Sequence, residues 1–190
     1  MDYNELLISR RSIRNFTDKP VTDETLIDMI KESTLAPNAS HSQQWKFVIV
    51  NDRDMIKRIS DESKKNIIKR IEDNPGDYAK KYEAALRNDD YNVFYNAPAL
   101  VIIAGPENYK NVLIDCSLCA GYLMYAAAAR GLGTCWVNLG SDVRDSKLRD
   151  ELGLTGDLKI VAPIIIGYPV SIPPAPRREP PVILKIIPGL

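Results

Sequence analysis

Histidine is nearly missing from this chain. The single one, His41, excludes zinc sites built on two imidazoles and leaves a Ser-His-Asp arrangement only one base to use. Cysteine is scarce as well. Cys116, Cys119 and Cys135 are too few and too odd in number for a disulfide framework, and they point to a reducing compartment, expected to be the cytoplasm. Net charge is absent, because 25 basic residues cancel 25 acidic ones. No global field therefore draws the chain to nucleic acid or an anionic membrane, and any anion site has to be local. The polar start, with Asp2 and Glu5, carries no signal-peptide pattern. The longest apolar tract, Val112 to Ala129, is interrupted by Asp115 and dominated by small residues, which suits a buried helix better than a membrane span. There is no Walker loop, no internal repeat and no metal-ligand cluster.

What is present is enough for one domain with a substantial core, residues 1–170, followed by an arm over 171–190. Asp2 to Ser9 patterns as a short helix with Tyr3, Leu6 and Leu7 on one face. Thr22 is placed to cap a second helix that turns Leu26, Met29 and Ile30 inward and stops before Ala36-Pro37. A polar loop, Pro37 to Gln44, enters a strand over Trp45 to Val50. Helical spacing returns from Asp52 to Glu72 and ends at Asn74-Pro75-Gly76, and the charged stretch Asp77 to Asn92 reads as an exposed helix with a loop. Tyr91 to Tyr95 suits a lid or ring-edge segment, or a surface hairpin with its aromatics tucked under.

Ala99 to Ala104 and Lys159 to Ile166 are continuous apolar strands, as in a sheet covered on both faces. Between them lie a helix from Asn111 to Arg130, a strand over Thr134 to Val137, and a helix from a Ser141 cap to Leu152. The first of these helices is apolar nearly all round, so it is expected to be buried, within the chain or against a second copy. After Ser171, Pro173, Pro174, Pro176, Pro180 and Pro181 force an extended path, and Val182 to Ile187 returns to strand composition. An apolar strand at the end of an arm needs a sheet edge, so a homodimer with exchanged arms is expected.

The densest chemistry is Ser9-Arg10-Arg11-Ser12-Ile13-Arg14, three arginines and two serines within six residues. Guanidinium forks and hydroxyls at that density suit a phosphate or another anion, although a solvated basic turn has the same composition. Arg177-Arg178, in the arm, is a second pair that can join the first only through the fold. Together the two groups can clamp one phosphate and leave Arg14 over, and a spare cation suits a heterocycle that gains negative charge on reduction. An acidic peptide or a nucleotide fits the arginines as well. Cys116-x-x-Cys119 has redox spacing but lies inside an apolar helix, so it reads as a pair of core thiols. Gly131-x-Gly133 follows a helix and leads into a strand, the reverse of the dinucleotide fingerprint.

Taken in order, Arg10-Arg11-Ser12-x-Arg14-x-Phe16, Ala36-Pro37 with Gln43-x-Trp45, Gly131-x-Gly133-Thr134-x-Trp136 and Gly167-Tyr168-Pro169 before an arginine-bearing proline-rich tail resemble the nitroreductase family, among its short members. That resemblance implies an α+β fold, a central mixed sheet flanked by helices, with the C-terminal arm exchanged between subunits of a dimer. It implies FMN, with NADH or NADPH as donor. Arg10, Ser12 and Arg178 would hold the phosphate, with Arg11 near and Arg177 in reserve, and Arg14 would face the N1 and O2 edge of the ring. Pro37, Asn38 and Ala39 would line the flavin from the partner chain, with Gln43 in the same loop, and main chain at Asn138 and Leu139 would approach N5. His41 stands where the family's loop usually has asparagine, and it would meet substrate or serve as a packing replacement. A further departure is Gly121, where the family commonly has glutamine. The segment from Lys64 to Tyr95 would form the substrate-pocket wall.

The implied activity is a ping-pong oxidoreductase that moves a hydride from NAD(P)H to a flat small-molecule acceptor such as a nitroaromatic or quinone. The flavin carries the chemistry, so no protein acid, base or nucleophile is required. Two alternatives stay open: a flavin-dependent dehalogenase, desaturase or flavin-fragmenting relative, and a non-catalytic dimer that binds a phosphate ligand or nucleotide.

Overall fold

The computed structural model describes residues 2–187. Helix α1 (Tyr3–Ser9) is started by a capping box, in which the Glu5 amide donates to Asp2 and the Asp2 amide donates to Glu5, both at 2.9 Å. Thr22 caps α2 (Asp23–Ser33) as expected, with two acidic residues in its first turn and Lys31 in its last. Then come β1 (Lys46–Val50), α3 (Arg53–Asp73), the one-turn α4 (Glu83–Leu86) and β2 (Ala99–Pro106). The chain continues through α5 (Val112–Ala129), β3 (Gly133–Trp136), α6 (Ser146–Glu151) and β4 (Leu158–Gly167).

The four strands lie in the order β1-β2-β4-β3, and each of the three pairings is antiparallel. The only parallel contact among the described residues is the bridge from Ser12 to Thr134, to which the expected mixed character of the sheet reduces. Strand β2 buries both faces because period-two alternation sends Leu100, Ile102 and Ala104 to one side and Ala99, Val101 and Ile103 to the other. The first side packs on Ile56, Ile59, Ile67 and Ile71 of α3, and the second on α2 and α5, giving helix, sheet, helix layers.

Helix α5 is the one described helix long and apolar enough to span a bilayer, and half of it is buried in the fold. The expectation that it is covered all round fails within the chain. Leu113, Ile114, Leu118 and Tyr122 remain exposed, a stripe at helical spacing with no neighbour from the same chain over it. The helix ends in a Schellman motif: Leu132 donates to the Ala127 carbonyl and left-handed Gly131 to that of Ala128.

Two further expectations are corrected. The stretch 77–92 is not an extended exposed helix. It breaks into a 3-10 turn (Tyr78–Tyr82) and α4, because Ala79 and Leu86 are drawn into the core. Ser141 caps no helix, since its hydroxyl donates back to the Asn138 carbonyl at 2.7 Å, and α6 begins later under Asp145, which accepts from the Leu148 amide. Residues 182–187, expected to pair with a partner's sheet edge, form no strand within the chain; residues 171–187 carry no regular element and are exposed.

The segment before α2 fixes the N-terminal arginines against the sheet. The Ile13 amide donates to the Thr134 carbonyl (2.9 Å), Thr17 to Tyr168 (2.8 Å), and Val170 back to Asn15 (3.1 Å). Backbones approach this closely because residue 133 has no side chain: a Cβ there would lie 2.6 Å from Ile13 Cγ1 and 2.7 Å from its Cβ. Ile13 is buried and cannot yield cheaply. Gly133→Ala is therefore expected to cost about 1–3 kcal/mol by overpacking. A urea titration checks it, and an unmoved midpoint would contradict the close packing.

Candidate functional site

The pairing of residues 12–17 with β3 brings two concave regions to the same sheet edge. The smaller, about 100 Å³, is lined by Ser9, Arg10, Arg11 and Ile13 on one side and by Gly131 to Thr134, Pro169 and Ile172 on the other. The larger, about 280 Å³, opens where β3 runs out into the 3-10 turn Asn138–Gly140. Its floor is Cys135 to Leu139, and its walls are Arg14 and four tyrosines, Tyr78, Tyr82, Tyr91 and Tyr95. Three buried side-chain polar atoms lack a partner among the described residues, and two belong to residues lining these clefts: Arg11 Nε and Trp136 Nε1. An unsatisfied buried donor costs about 1–3 kcal/mol, so both places favour a ligand with acceptors.

Cys135 registers the charge at this edge. Burial pushes its thiol up, opposed in turn by Arg14, a hydrogen bond with Ser12, and Arg10. The three side chains of the arginine segment thus surround one point of β3. Arg14 also lies 5.7 Å from the Tyr95 ring centre. Tyr91 and Tyr95 meet edge to face, 6.2 Å apart at 89°. Burial and then the Tyr95 hydroxyl raise the Tyr91 phenol well above its usual range, so it stays protonated and able to donate.

The tyrosine wall is held by α3. The Lys64 ammonium donates to the carbonyls of Asn88 (2.7 Å) and Tyr91 (2.9 Å), and the Val93 amide donates to Ser60 Oγ (3.0 Å). Arg70 donates to Asp77 (2.7 Å) and Asp142 (2.9 Å) and lies 5.7 Å from the Tyr78 ring centre. Asp77 is held below the usual carboxylate range by Arg70 first and by the Ala79 amide next. Arg70 thereby ties the Tyr78 turn to the turn after Asn138, whose amide nitrogen donates to the Tyr78 hydroxyl at 3.2 Å. Phe94, fully buried, wedges beneath Gly140, where an added Cβ would lie 2.2 Å from its ring. Tyr91 to Tyr95 is therefore neither a loose lid nor a surface hairpin: its middle is core and its two tyrosines face the cleft.

The loop 37–44 lies elsewhere. Ser40, His41 and Gln43 adopt left-handed backbone at φ 53°, 52° and 47°, which non-glycine residues hold only under tertiary restraint. The restraint is Asp115, only 2% exposed. One of its oxygens accepts from the Ala39 amide (3.2 Å) and the other from the Tyr109 hydroxyl (2.8 Å), which also bonds Ser42 (2.7 Å). His41 is exposed and its Nε2 contacts only the Gln43 amide nitrogen, at 2.9 Å.

Of the residues singled out from sequence, Arg10, Arg11, Ser12, Arg14, Asn138 and Leu139 gather along β3. Pro37, Asn38, Ala39, His41 and Gln43 do not line either cleft of their own chain. Arg177 and Arg178 are not brought to Arg10 within the chain. Both are exposed on an arm that leaves the small cleft at Ile172 and carries Arg177 roughly 15 Å further along an extended path. Tyr78 and Tyr82 line the larger cleft and Lys64 and Arg70 brace it, all within the 64–95 segment expected to form the pocket wall, although the sequence singled out none of the four, nor Asp115, individually. Their only sequence signal was polarity inside otherwise apolar spacing, at Lys64 and Asp115.

Residues 7–168 match the Nitroreductase family. This chain belongs to that family. It is 27% identical over 170 residues to an Archaeoglobus fulgidus protein named as an NADH dehydrogenase/NAD(P)H nitroreductase, covering 87% of this chain and 84% of that one. The fold is shared with a Bacteroides fragilis nitroreductase solved with bound FMN, at TM-score 0.77, 20% identity and full coverage of both chains. It is shared too with an iodotyrosine deiodinase solved with FMN and 3-iodo-L-tyrosine, at TM-score 0.74 and 22% identity, covering 97% of this chain and 99% of that one.

All three thiols are free and buried. Burial raises Cys116 to about 12 and Cys119 to about 11, and lifts Cys135 as well. At about pH 8, iodoacetamide is expected to leave all three unmodified in the native protein and to alkylate all three in denaturant, counted by intact mass. Rapid labelling of any one in the native state would overturn this.

Proposed function

We propose that this protein is an FMN-dependent oxidoreductase that takes a hydride from NAD(P)H and delivers it to a flat small-molecule acceptor by a ping-pong sequence. The observation that carries the proposal is the succession of two separate clefts along one strand edge. A cationic, hydroxyl-bearing end lies at Gly133 and Thr134, and an aromatic slot lies at Cys135 to Leu139. A ligand with an anionic end and a planar end matches that layout, and FMN is such a ligand. The residues fit it at both ends. Arg10, Arg11 and Ser12 offer donors for a phosphate, including the unpartnered Arg11 Nε, and Arg14 stands beside the aromatic slot.

Bound there, FMN would supply the hydride chemistry. The chain's own residues hold, orient and enclose. Arg14 places positive charge where a reduced heterocycle gains electron density. The tyrosine faces receive a flat partner by stacking, their hydroxyls offer hydrogen bonds, and Asn138 fixes Tyr78 at the rim. Among the described residues no carboxylate or imidazole lines the aromatic slot, and burial raises the Cys135 thiol there. The dehalogenating reading is favoured by the likeness to the iodotyrosine deiodinase fold, and product analysis with a halogenated phenol separates it from simple hydride transfer.

The working unit is proposed to be a homodimer. Three unfinished surfaces support it: the exposed stripe of α5, the unpaired outer edge of β1, and an arm bearing Val182, Ile183, Leu184, Ile186 and Ile187 in the open. A partner's arm would deliver Arg177 and Arg178, and a partner's loop would deliver Pro37, Asn38, Ala39, Gln43 and His41.

Purified protein is expected to carry or take up FMN and to show the flavin bands bleached by NADPH or NADH. Colourless protein that binds no added FMN would refute the proposal. Arg10→Ala and Arg178→Ala should each weaken FMN binding about 10- to 150-fold, from loss of a charge-assisted bond of about 1.5–3 kcal/mol. Arg14→Ala should mainly slow reduction in a stopped-flow trace, and the reverse pattern would refute the division of roles. Truncation after residue 170 is expected to turn a dimer into monomers by light scattering, and an unchanged mass would exclude arm exchange.

A further inference from the structure

We propose that Lys64 is a positioning residue that sets acceptor selectivity by fixing Tyr91 against Tyr95. The inference rests on the reading of the tyrosine cleft as the acceptor site. Lys64 is 6% exposed, and among the described residues it makes no ion pair. Burying an ammonium without a counter-charge costs several kcal/mol unless strong acceptors surround it. A hydrophobic side chain would fill the same space at no such cost, so the cation has to be explained by what it holds.

It holds a turn closed. The Asn88 carbonyl already accepts from the Tyr91 amide at 3.1 Å, and Lys64 donates to that carbonyl and to the Tyr91 carbonyl together. Two main-chain oxygens three residues apart are thus gathered on one nitrogen. One helical turn earlier Ser60 receives the Val93 amide, and Val93 and Phe94 are fully buried. The segment's far end is therefore pinned by core packing, whereas the end that carries Tyr91 is pinned by Lys64. Without the ammonium, Tyr91 is free to move relative to Tyr95 while Phe94 stays in place.

The consequence falls on the shape of the cleft and not on the flavin site, because Lys64 lines neither the arginine cleft nor the tyrosine cleft. Acceptors large enough to press on the Tyr91–Tyr95 pair should respond to its loss, and small ones should not. A residue that merely stabilised the fold would affect both alike.

The test uses FMN-loaded protein and two acceptors, p-benzoquinone with one ring and menadione with two, each measured with the same donor. Lys64→Met is expected to change the ratio of the two kcat/KM values about tenfold, chiefly through the KM of menadione. FMN affinity should be unchanged, and Lys64→Arg, which can still reach both carbonyls, should restore the ratio. Lys65→Met, on the neighbouring exposed side chain that pairs with Glu62, should leave it unmoved. Equal loss with both acceptors, or an unmoved ratio, would overturn the role. If Lys64→Met does not fold, Lys64→Gln, which removes the charge while keeping a polar side chain, is measured in its place, and its ratio decides: a shift supports the role and constancy overturns it. Wild-type protein that reduces neither quinone would refute the acceptor-site reading itself, an outcome distinct from turnover with an invariant ratio.

Discussion

Everything at the site hangs from the seating of Ile13 on β3. One amide-to-carbonyl bond, from Ile13 to Thr134, and the missing side chain at Gly133 bring the N-terminal segment to the sheet edge. The buried Ile13 side chain locks the register, so its neighbours Ser12 and Arg14 are turned outward by strand alternation. Three cations in a short stretch repel one another when left alone in solution. Against this edge they are spread along the strand, with Arg10 and Arg11 at the small cleft and Arg14 at the aromatic one. The separation of Arg10 and Arg11 from Arg14 follows from backbone geometry, before any ligand is considered.

The second layer of organisation is polar and belongs to α3. This helix buries isoleucines toward the sheet, as any amphipathic helix does, but it also presents Ser60, Glu62, Lys64, Asn66 and Arg70 to irregular chain. Glu62 accepts from the amides of Arg144 and Asp145, and Asn66 donates to the Asp142 carbonyl at 2.9 Å. Irregular segments carry main-chain groups that no ladder satisfies, and burying them unpaired is costly. The side chains of α3 meet that need for both walls of the cleft. The wall can therefore be built from turns, which place aromatic rings at angles no regular strand offers, without becoming mobile.

What could be read from the sequence and what could not divide along this line. Helices α2 and α3, the strands β1, β2 and β4, and the burial of Cys116 and Cys119 were legible because spacing and caps are local signals. The arginine segment was legible because its composition is unusual for a short stretch. The polar anchors were not. Lys64 reaches a carbonyl 24 residues on, Arg70 a carboxylate 72 residues on, and Asp115 an amide 76 residues back. A lysine in a charged helix and an aspartate in an apolar one look like a solvated face and an interruption until the fold shows what they hold. Ser141 misled for a related reason, since a serine that caps a helix and one that closes a turn on Asn138 are identical in sequence. The arm was read correctly as extended, but its strand composition is no strand without an edge to pair with.

The unfinished surfaces and the site are one problem. A free arm with five large aliphatic residues in water is unfavourable by about 1.5–3 kcal/mol for each side chain that could be buried, and among the described residues all five stay exposed. The sheet has one covered end, where residues 12–17 shield β3, and one open end at β1. The same chain bears a strained loop, held by Asp115, whose residues face neither of its own clefts. Strain of that kind persists when it serves a contact, and here the contact is missing from the single chain. A second copy would supply an edge for the arm, a cover for the α5 stripe and a cleft for the loop together. On the proposed dimer the arginine clusters at the two ends of the sequence would be halves of one site that meet across subunits; within one chain Arg177 and Arg178 line neither cleft.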